Sequence, residues 1–380
     1  MLLVVELEGL RAHDGGQSVF AIGQRGHSKV HCFSPSGDLC SEHESGRAQR
    51  FRQHRTNTVE DHSMKENSAR PWAPELDPVL SGLRLEYSVD RAQLANQLRF
   101  HELAFDAGTE AYVRHALRKR HGRFLAWLHG LLQGFLSDFD INGLLGLYPM
   151  HVLSEAQWRE LFQAALKAPA AETAPLRSLL DIGAGRGDVT SELARCFQEV
   201  TATETSKAMV SRLAKRGFRA VHGDLAEGAL LAGGEKFDAV SLLNVLDRCD
   251  RPLSLLGAAR SFVREGGLFI VALVLPYDPF VYDGGRSRAP RERLPIHAKG
   301  FERAASEFVQ NALLPLGLEP LVLSRVPYLS GGDPEAPLYE LDDVIVICRA
   351  GPDVPLLRVP DPVPEALRSS AKESSALQQR

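Results

Sequence analysis

The chain has 380 residues, 44% of them apolar, and a formal net charge of −4, the size and composition of one large or two ordinary globular domains. So weak a charge supplies no basic field for gripping nucleic acid, and no run of about 20 uncharged apolar residues supplies a membrane span. The five cysteines form no CxxC pair, which indicates neither a zinc cage nor a disulfide framework.

The opening MLLVVELEGLRAHDGG carries an apolar patch too short and too acidic for a signal peptide. From residue 11 to about 75 the text is rich in His, Ser, Arg, Gly and Gln without a sustained period, so residues 1–75 are expected to be disordered. His27 and His31 have helical metal-ligand spacing, but no third ligand stands nearby and no metal site is expected. Residues 76–170 are expected to form a helical extension packed on the core. There YVRHALRKRHGRFLAWLHGLLQGFLSDF sets Val113, Leu117, Phe124, Leu128, Leu131, Leu132 and Phe135 on one stripe. The bases Arg114, Arg118, Lys119, Arg120 and Arg123 also suggest a membrane-surface helix over 112–139, although they crowd one end. Ser154 reads as the N-cap of the next helix.

From 171 to 350 strands and helices alternate: RSLLDI, DVTSELARCF, EVTATE, KAMVSRLAKRG, RAVHGD, KFDAVSLLNV, LSLLGAARSFV and GGLFIVALVLP. That alternation predicts a parallel sheet covered by helices on both faces. EPLVLSRVPYL and DDVIVICRA then suggest an antiparallel closing hairpin, and the Pro- and Ser-rich residues 351–380 a disordered tail.

LLDIGAGRGD is an apolar strand that breaks into a turn with Gly183, Gly185 and Gly187. A dinucleotide fingerprint needs its third glycine where Asp188 stands, which weakens a hydride-transfer reading. Glu204 closes the second strand about 20 residues on, where a carboxylate can accept both hydroxyls of a ribose. Asp181 beside the turn suits a cationic or zwitterionic ligand and would face its amino group, which favours S-adenosylmethionine over NAD. Asp224, after the third strand, either meets the adenine amine or is a plain turn residue. Asn244 and Asp247 follow the fourth strand, at the carboxyl edge where such sheets bind ligands, although polar residues there also serve as loop caps.

Taken together and in order, LLDIGAGRGDVT, ATETS, LLNVLDRCDRPLSLL, VALVLPYDPFV, RVPYLSGGD and YELDDVIVI resemble the methyltransferase-like protein nine (DREV) family of protein-histidine methyltransferases. The resemblance begins at INGLLG, near Ile141, and runs to about Cys348. It implies an α/β, class I S-adenosylmethionine-dependent methyltransferase with a Rossmann-like seven-stranded sheet whose last strand is antiparallel. It also implies methyl transfer to the pros nitrogen of histidine in protein substrates carrying His-x-His motifs, with x small. By motif position Glu204, Asn244 and Tyr328 are the implied cofactor contacts, beside Asp181, Gly183 and Gly185 of the turn, and Asp247 and Tyr339 are the implied catalytic, substrate-side residues. Arg186 departs from the acidic residue usual at its place. A monomer is expected, and the family points to the endoplasmic reticulum or the mitochondrion, although no signal peptide is visible. Two other readings keep the fold: an N-methyltransferase of another protein or a small molecule, and a non-catalytic cofactor-binding scaffold.

Overall fold

The computed structural model describes residues 85–118, 149–167, 176–225, 231, 234–283, 286–331 and 338–352. The expectations for residues 1–75, including His27 and His31, for 119–139 and for the tail beyond 352 lie outside the described residues.

In chain order the elements are α1 (Ala107–Arg118), β1 (Met150–His151), α2 (Glu155–Leu166), β2 (Leu176–Ile182), α3 (Asp188–Ala194), β3 (Phe197–Glu204), α4 (Lys207–Lys215) and β4 (Arg219–His222). They continue with β5 (Phe237–Leu243), α5 (Pro252–Arg260), β6 (Val263–Val274), a ribbon of β7 (Val281–Asp283) and β8 (Arg286–Arg288), α6 (Phe301–Phe308), β9 (Leu318–Gly331) and β10 (Leu338–Ala350). Local chemistry starts several helices. Ser154 caps α2 as expected, accepting from the Gln157 N–H while the Gln157 side chain accepts from the Ser154 N–H, a reciprocal cap worth about 1 kcal/mol. Ser206 caps α4 through the Met209 N–H, and Pro252 opens α5, where its missing N–H costs nothing.

The main sheet has eight strands in the order β1-β9-β10-β6-β5-β2-β3-β4. Strands β4, β3, β2, β5 and β6 run parallel, and β10 is antiparallel to both β6 and β9. The expected seven strands with an antiparallel last strand are therefore present, and β1 is added as an eighth by pairing Met150 with Ser330 and His151 with Leu329. The segment expected as a helical extension also runs extended beside β9, where the Leu323 N–H donates to Arg99 O and the His101 N–H to Leu323 O. Pairing too short to leave a period in the sequence accounts for the difference.

Central strands are covered on both faces, which is why they read as nearly continuous apolar runs. On one face Leu180, Val240, Leu242, Phe269, Val271, Val344 and Val346 pack with Leu255, Leu256 and Ala259 of α5 and Ala304, Ala305 and Phe308 of α6. On the other, Leu179, Ala239, Ile270, Ala272, Ile345 and Ile347 pack with Trp158, Leu161 and Phe162 of α2 and Leu193 of α3. Each fully buried Leu or Phe contributes about 1.5–3 kcal/mol relative to exposure. The strand order reverses at β2, with β3 on one side and β5 on the other, so a crevice opens beyond the carboxyl ends of these strands. Because β10 runs the opposite way, its early residues reach the same edge, with Asp343 opposite Val274 of β6.

Candidate active site

At the end of β2 the chain turns through Gly183, Gly185 and Gly187, all with positive φ (72°, 56° and 79°), a region closed to most side chains. Space enforces glycine as well. A Cβ on Gly183 would lie 2.7 Å from Val245 Cγ2, and one on Gly187 2.8 Å from Leu213 Cδ2. The N–H groups of Gly183 and Ala184 donate to Thr203 O, and that of Gly185 to Glu204 Oε2 at 2.9 Å. Glu204 Oε1 accepts from the N–H groups of Thr205 and Ser206.

Asp181 is buried with both oxygens in use, accepting from Thr190 Oγ1 of α3 and Ser241 Oγ of β5, each at 2.6 Å. The expectation that it faces a ligand's amino group meets a carboxyl already engaged on both oxygens, tying α3 and β5 to β2. Burial pushes its pKa up to about 6, with Glu204 adding to the rise and the two hydroxyls opposing it.

A second cluster lies at the ends of β5, β9 and β10. Asn244 directly follows β5 with φ +56°, a conformation that Asn tolerates better than most residues. Its N–H donates to Ala272 O of β6, and its side-chain Nδ2 donates to Asp343 Oδ2 at 2.6 Å. Asp247 is 2% exposed and Asp343 is fully buried. Arg248 Nη1 holds Asp247 Oδ2 at 2.7 Å. Asn244 Oδ1, Asp247 Oδ1 and Asp343 Oδ1 are buried without a hydrogen-bond partner.

Burial drives the Asp343 carboxyl well above the usual carboxylate range, and the neighbouring Asp247 and Asp342 reinforce this against the Asn244 hydrogen bond and Arg248. Tyr328 is raised too, first by burial and then by Asp343 and Asp247, so it belongs to the same cluster. Tyr339 precedes Asp343 by four residues on the same face of β10; it pairs with Ser330, and Leu341 pairs with Tyr328, which makes the two tyrosines diagonal neighbours. Asp224 is half-buried past β4. It reaches this turn, since burial and then Asp247 and Asp224 push the Cys249 thiol upward.

The turn after β5 is clamped from the β6–α6 connection. Arg248 stacks on the Phe280 ring at 4.2 Å, Phe280 N–H donates to Asp247 O, and Asp250 binds both Arg288 and Arg291. These ion pairs hold the Asp250 carboxyl at about 2, against the effect of its partial burial.

The structure thus gathers Asp181, Gly183, Gly185 and Glu204 around one turn, and Asn244, Asp247 and Tyr328 around the next, with Val245 against Gly183 joining the two. Sequence reading missed Arg248, and it missed Asp343 except as a letter in a motif. A charged pair heading the apolar run VIVI was the available signal, because a buried strand carries such charges at a cost. Among the described residues no His, Cys, Asp and Glu group is arranged to hold a metal ion, and no helix is long and apolar enough to cross a membrane.

Three buried acceptors without donors are expensive, about 1–3 kcal/mol each, and ligands that bring N–H groups to this edge relieve that cost. With a glycine turn that permits close backbone approach and an acid closing β3, the edge fits S-adenosylmethionine. Sheet order, antiparallel last strand and switch-point turn define a class I S-adenosylmethionine-dependent methyltransferase. The chain belongs to the DREV methyltransferase family, whose model matches residues 87–350. It is also 33% identical over 111 residues to a probable ribosomal RNA small subunit methyltransferase A of Methanosarcina mazei, covering 29% of this chain and 38% of that protein. A ubiquinone biosynthesis O-methyltransferase of Cereibacter sphaeroides is 33% identical over 96 residues, covering 24% and 39%. The chain therefore spans well under half the length of these curated relatives. Among solved structures, the N-methyltransferase NodS from Bradyrhizobium japonicum in complex with S-adenosyl-L-homocysteine is 13% identical with a TM-score of 0.33, covering 64% of this chain and 98% of that one. The DhpI–SAH complex is 19% identical with a TM-score of 0.33, covering 52% and 96%.

Proposed function

We propose that the chain methylates the pros nitrogen of histidine in protein segments of the form His-x-His. The observation that carries this reading is Asp247: one oxygen is fixed by Arg248 at 2.7 Å, and the other is a buried acceptor without a donor at the carboxyl edge of the sheet. A neutral imidazole has one N–H and one lone pair, and only the lone-pair nitrogen attacks. Asp247 Oδ1 accepts the distal N–H, selects that tautomer and turns the pros nitrogen outward. Its charge offsets the positive charge growing on the ring. With a free imidazole pKa of ~6.5 most substrate is neutral at slightly alkaline pH, and no strong base is required.

S-adenosylmethionine supplies an electrophilic methyl group on a sulfonium and leaves as S-adenosylhomocysteine. Glu204 would hold its ribose, the glycine turn would admit its chain, Asn244 and Tyr328 would hold its amino-acid end, and Asp181 fixes the turn through Thr190 and Ser241. Tyr339 lines the substrate side. The methyl group would pass to the pros nitrogen with the C–S pair left on sulfur, while Asp247 Oδ1 holds the distal N–H until product leaves and that proton goes to water. Holding the substrate imidazole oriented toward the methyl donor would supply much of the remaining rate.

The test is incubation with a His-Ala-His peptide and isotopically labelled cofactor, with pros and tele products separated by mass spectrometry. Pros-methylhistidine supports the reading. Methylation of another acceptor moves the chain to a different N-methyltransferase, and cofactor binding without any product moves it to a scaffold.

A further inference from the structure

We propose that Asp343 is a positioning residue: it fixes which end of the Asn244 side-chain amide faces the cofactor, and so makes that position a receptor for the α-ammonium of the cofactor's amino-acid end. The inference rests on the reading of Asn244 as a cofactor contact and adds a residue to it.

An amide presents a donor at one end and an acceptor at the other, and its neighbours decide which faces a ligand. Here Nδ2 is committed to Asp343 Oδ2 at 2.6 Å. Ionised, Asp343 can only accept; protonated, its carbonyl oxygen still accepts. With Nδ2 on Asp343 Oδ2 the amide nitrogen faces strand β10, and Oδ1 is the end left over, buried and without a hydrogen-bond partner; a protonated Asp343 keeps this arrangement with its proton on Oδ1, which leaves Oδ2 the carbonyl acceptor. The backbone of Asn244 cannot swing to compensate, since its N–H is bound to Ala272 O. A free, fixed acceptor selects a ligand with N–H groups to donate. Sheet order says which one. Glu204 ends β3 on one side of β2, and Asn244 follows β5 on the other, so a nucleoside whose ribose reaches Glu204 carries its amino-acid chain across the glycine turn toward Asn244.

The test compares binding of S-adenosylhomocysteine, which has the α-ammonium, with 5′-methylthioadenosine, which lacks the amino-acid end, by calorimetry on the full chain. Asp343→Leu removes the anchor while keeping the site filled. It should lower affinity for S-adenosylhomocysteine about tenfold or more and leave 5′-methylthioadenosine within about twofold. Asn244→Asp alone sets two acceptors face to face and should lose the same selectivity. Asn244→Asp with Asp343→Asn restores a donor–acceptor pair in one orientation, with an oxygen outward, and should recover S-adenosylhomocysteine binding to within about threefold of wild type; Asp, like Asn, accepts the left-handed backbone. Equal losses for both nucleosides in Asp343→Leu, or no loss, would overturn the proposal. Should that variant fail to fold, equal affinities of Asn244→Asp and the exchanged pair overturn it instead. Wild-type protein that binds neither nucleoside removes the cofactor reading itself, a result distinct from failure of the Asp343 variants alone.

Discussion

Glu204 Oε2 accepts the N–H of Gly185 at 2.9 Å, so the end of β3 and the middle of the glycine turn are one hydrogen-bonded unit. Glu204 Oε1 already accepts from the Thr205 N–H, the Thr205 Oγ1 and the Ser206 N–H, so the capacity left on Oε2 beside the Gly185 N–H is what would receive a ribose hydroxyl. Glu204→Ala is expected to weaken S-adenosylhomocysteine binding by about 1–3 kcal/mol, measured by calorimetry; an unchanged dissociation constant would take Glu204 out of the site.

Asp247→Asn should leave cofactor affinity within about twofold and cut turnover on a His-Ala-His peptide by about 10²-fold or more, roughly 3 kcal/mol. The amide still accepts a hydrogen bond but carries no charge opposite the developing imidazolium. Because Arg248 loses its ion pair with a buried carboxylate, melting temperature is read on the same preparation. Reduced stability with normal turnover per folded molecule would make Asp247 a turn residue only.

Gly183→Ala meets two separate penalties, a φ of +72° and a methyl 2.7 Å from Val245 Cγ2. A loss of about 1–3 kcal/mol is expected in denaturant unfolding. Adding Val245→Ala should relieve the contact and leave the backbone penalty, so the double variant falls less than the sum of the singles. Strict additivity would show that the two residues do not touch.

Asp181 carries a pH signature. Its carboxyl is raised to about 6 in the fold against about 3.9 in an unfolded chain, so between these values the native state binds more protons than the unfolded one. Stability from this group is present below about pH 4 and is lost as pH rises through 6, by roughly 3 kcal/mol. Asp181→Asn lacks that loss. The stability difference between variant and wild type should thus move toward the variant from pH 4 to 7, and parallel pH profiles would contradict it.

The sheet was legible because buried parallel strands leave long apolar runs, and the Ser154 cap of α2 because a cap and the N–H it accepts lie within four residues. Glu204 and Asn244 could be singled out from their places after strands. Asp343 could not: its partner Asn244 lies 99 residues away, and only the antiparallel reversal of β10 brings it to the edge where β5 ends. Arg248, in a run of charges, reads as solvated, yet the Phe280 ring and the Asp247 carboxylate bury it to 5% exposure. The two-residue β1 has no period to detect.

The short additions along β9 matter beyond their length. At fourteen residues, β9 without them would end the sheet as an open row of N–H and C=O groups, a template for any passing strand. Arg99 and His101 bond to Leu323, and Met150 and His151 pair with Ser330 and Leu329. The division expected at residue 171 therefore cuts across a hydrogen-bonded sheet. A protein trimmed there would keep its glycine turn and its carboxylates but carry an unsealed seam, prone to aggregate with its own copies.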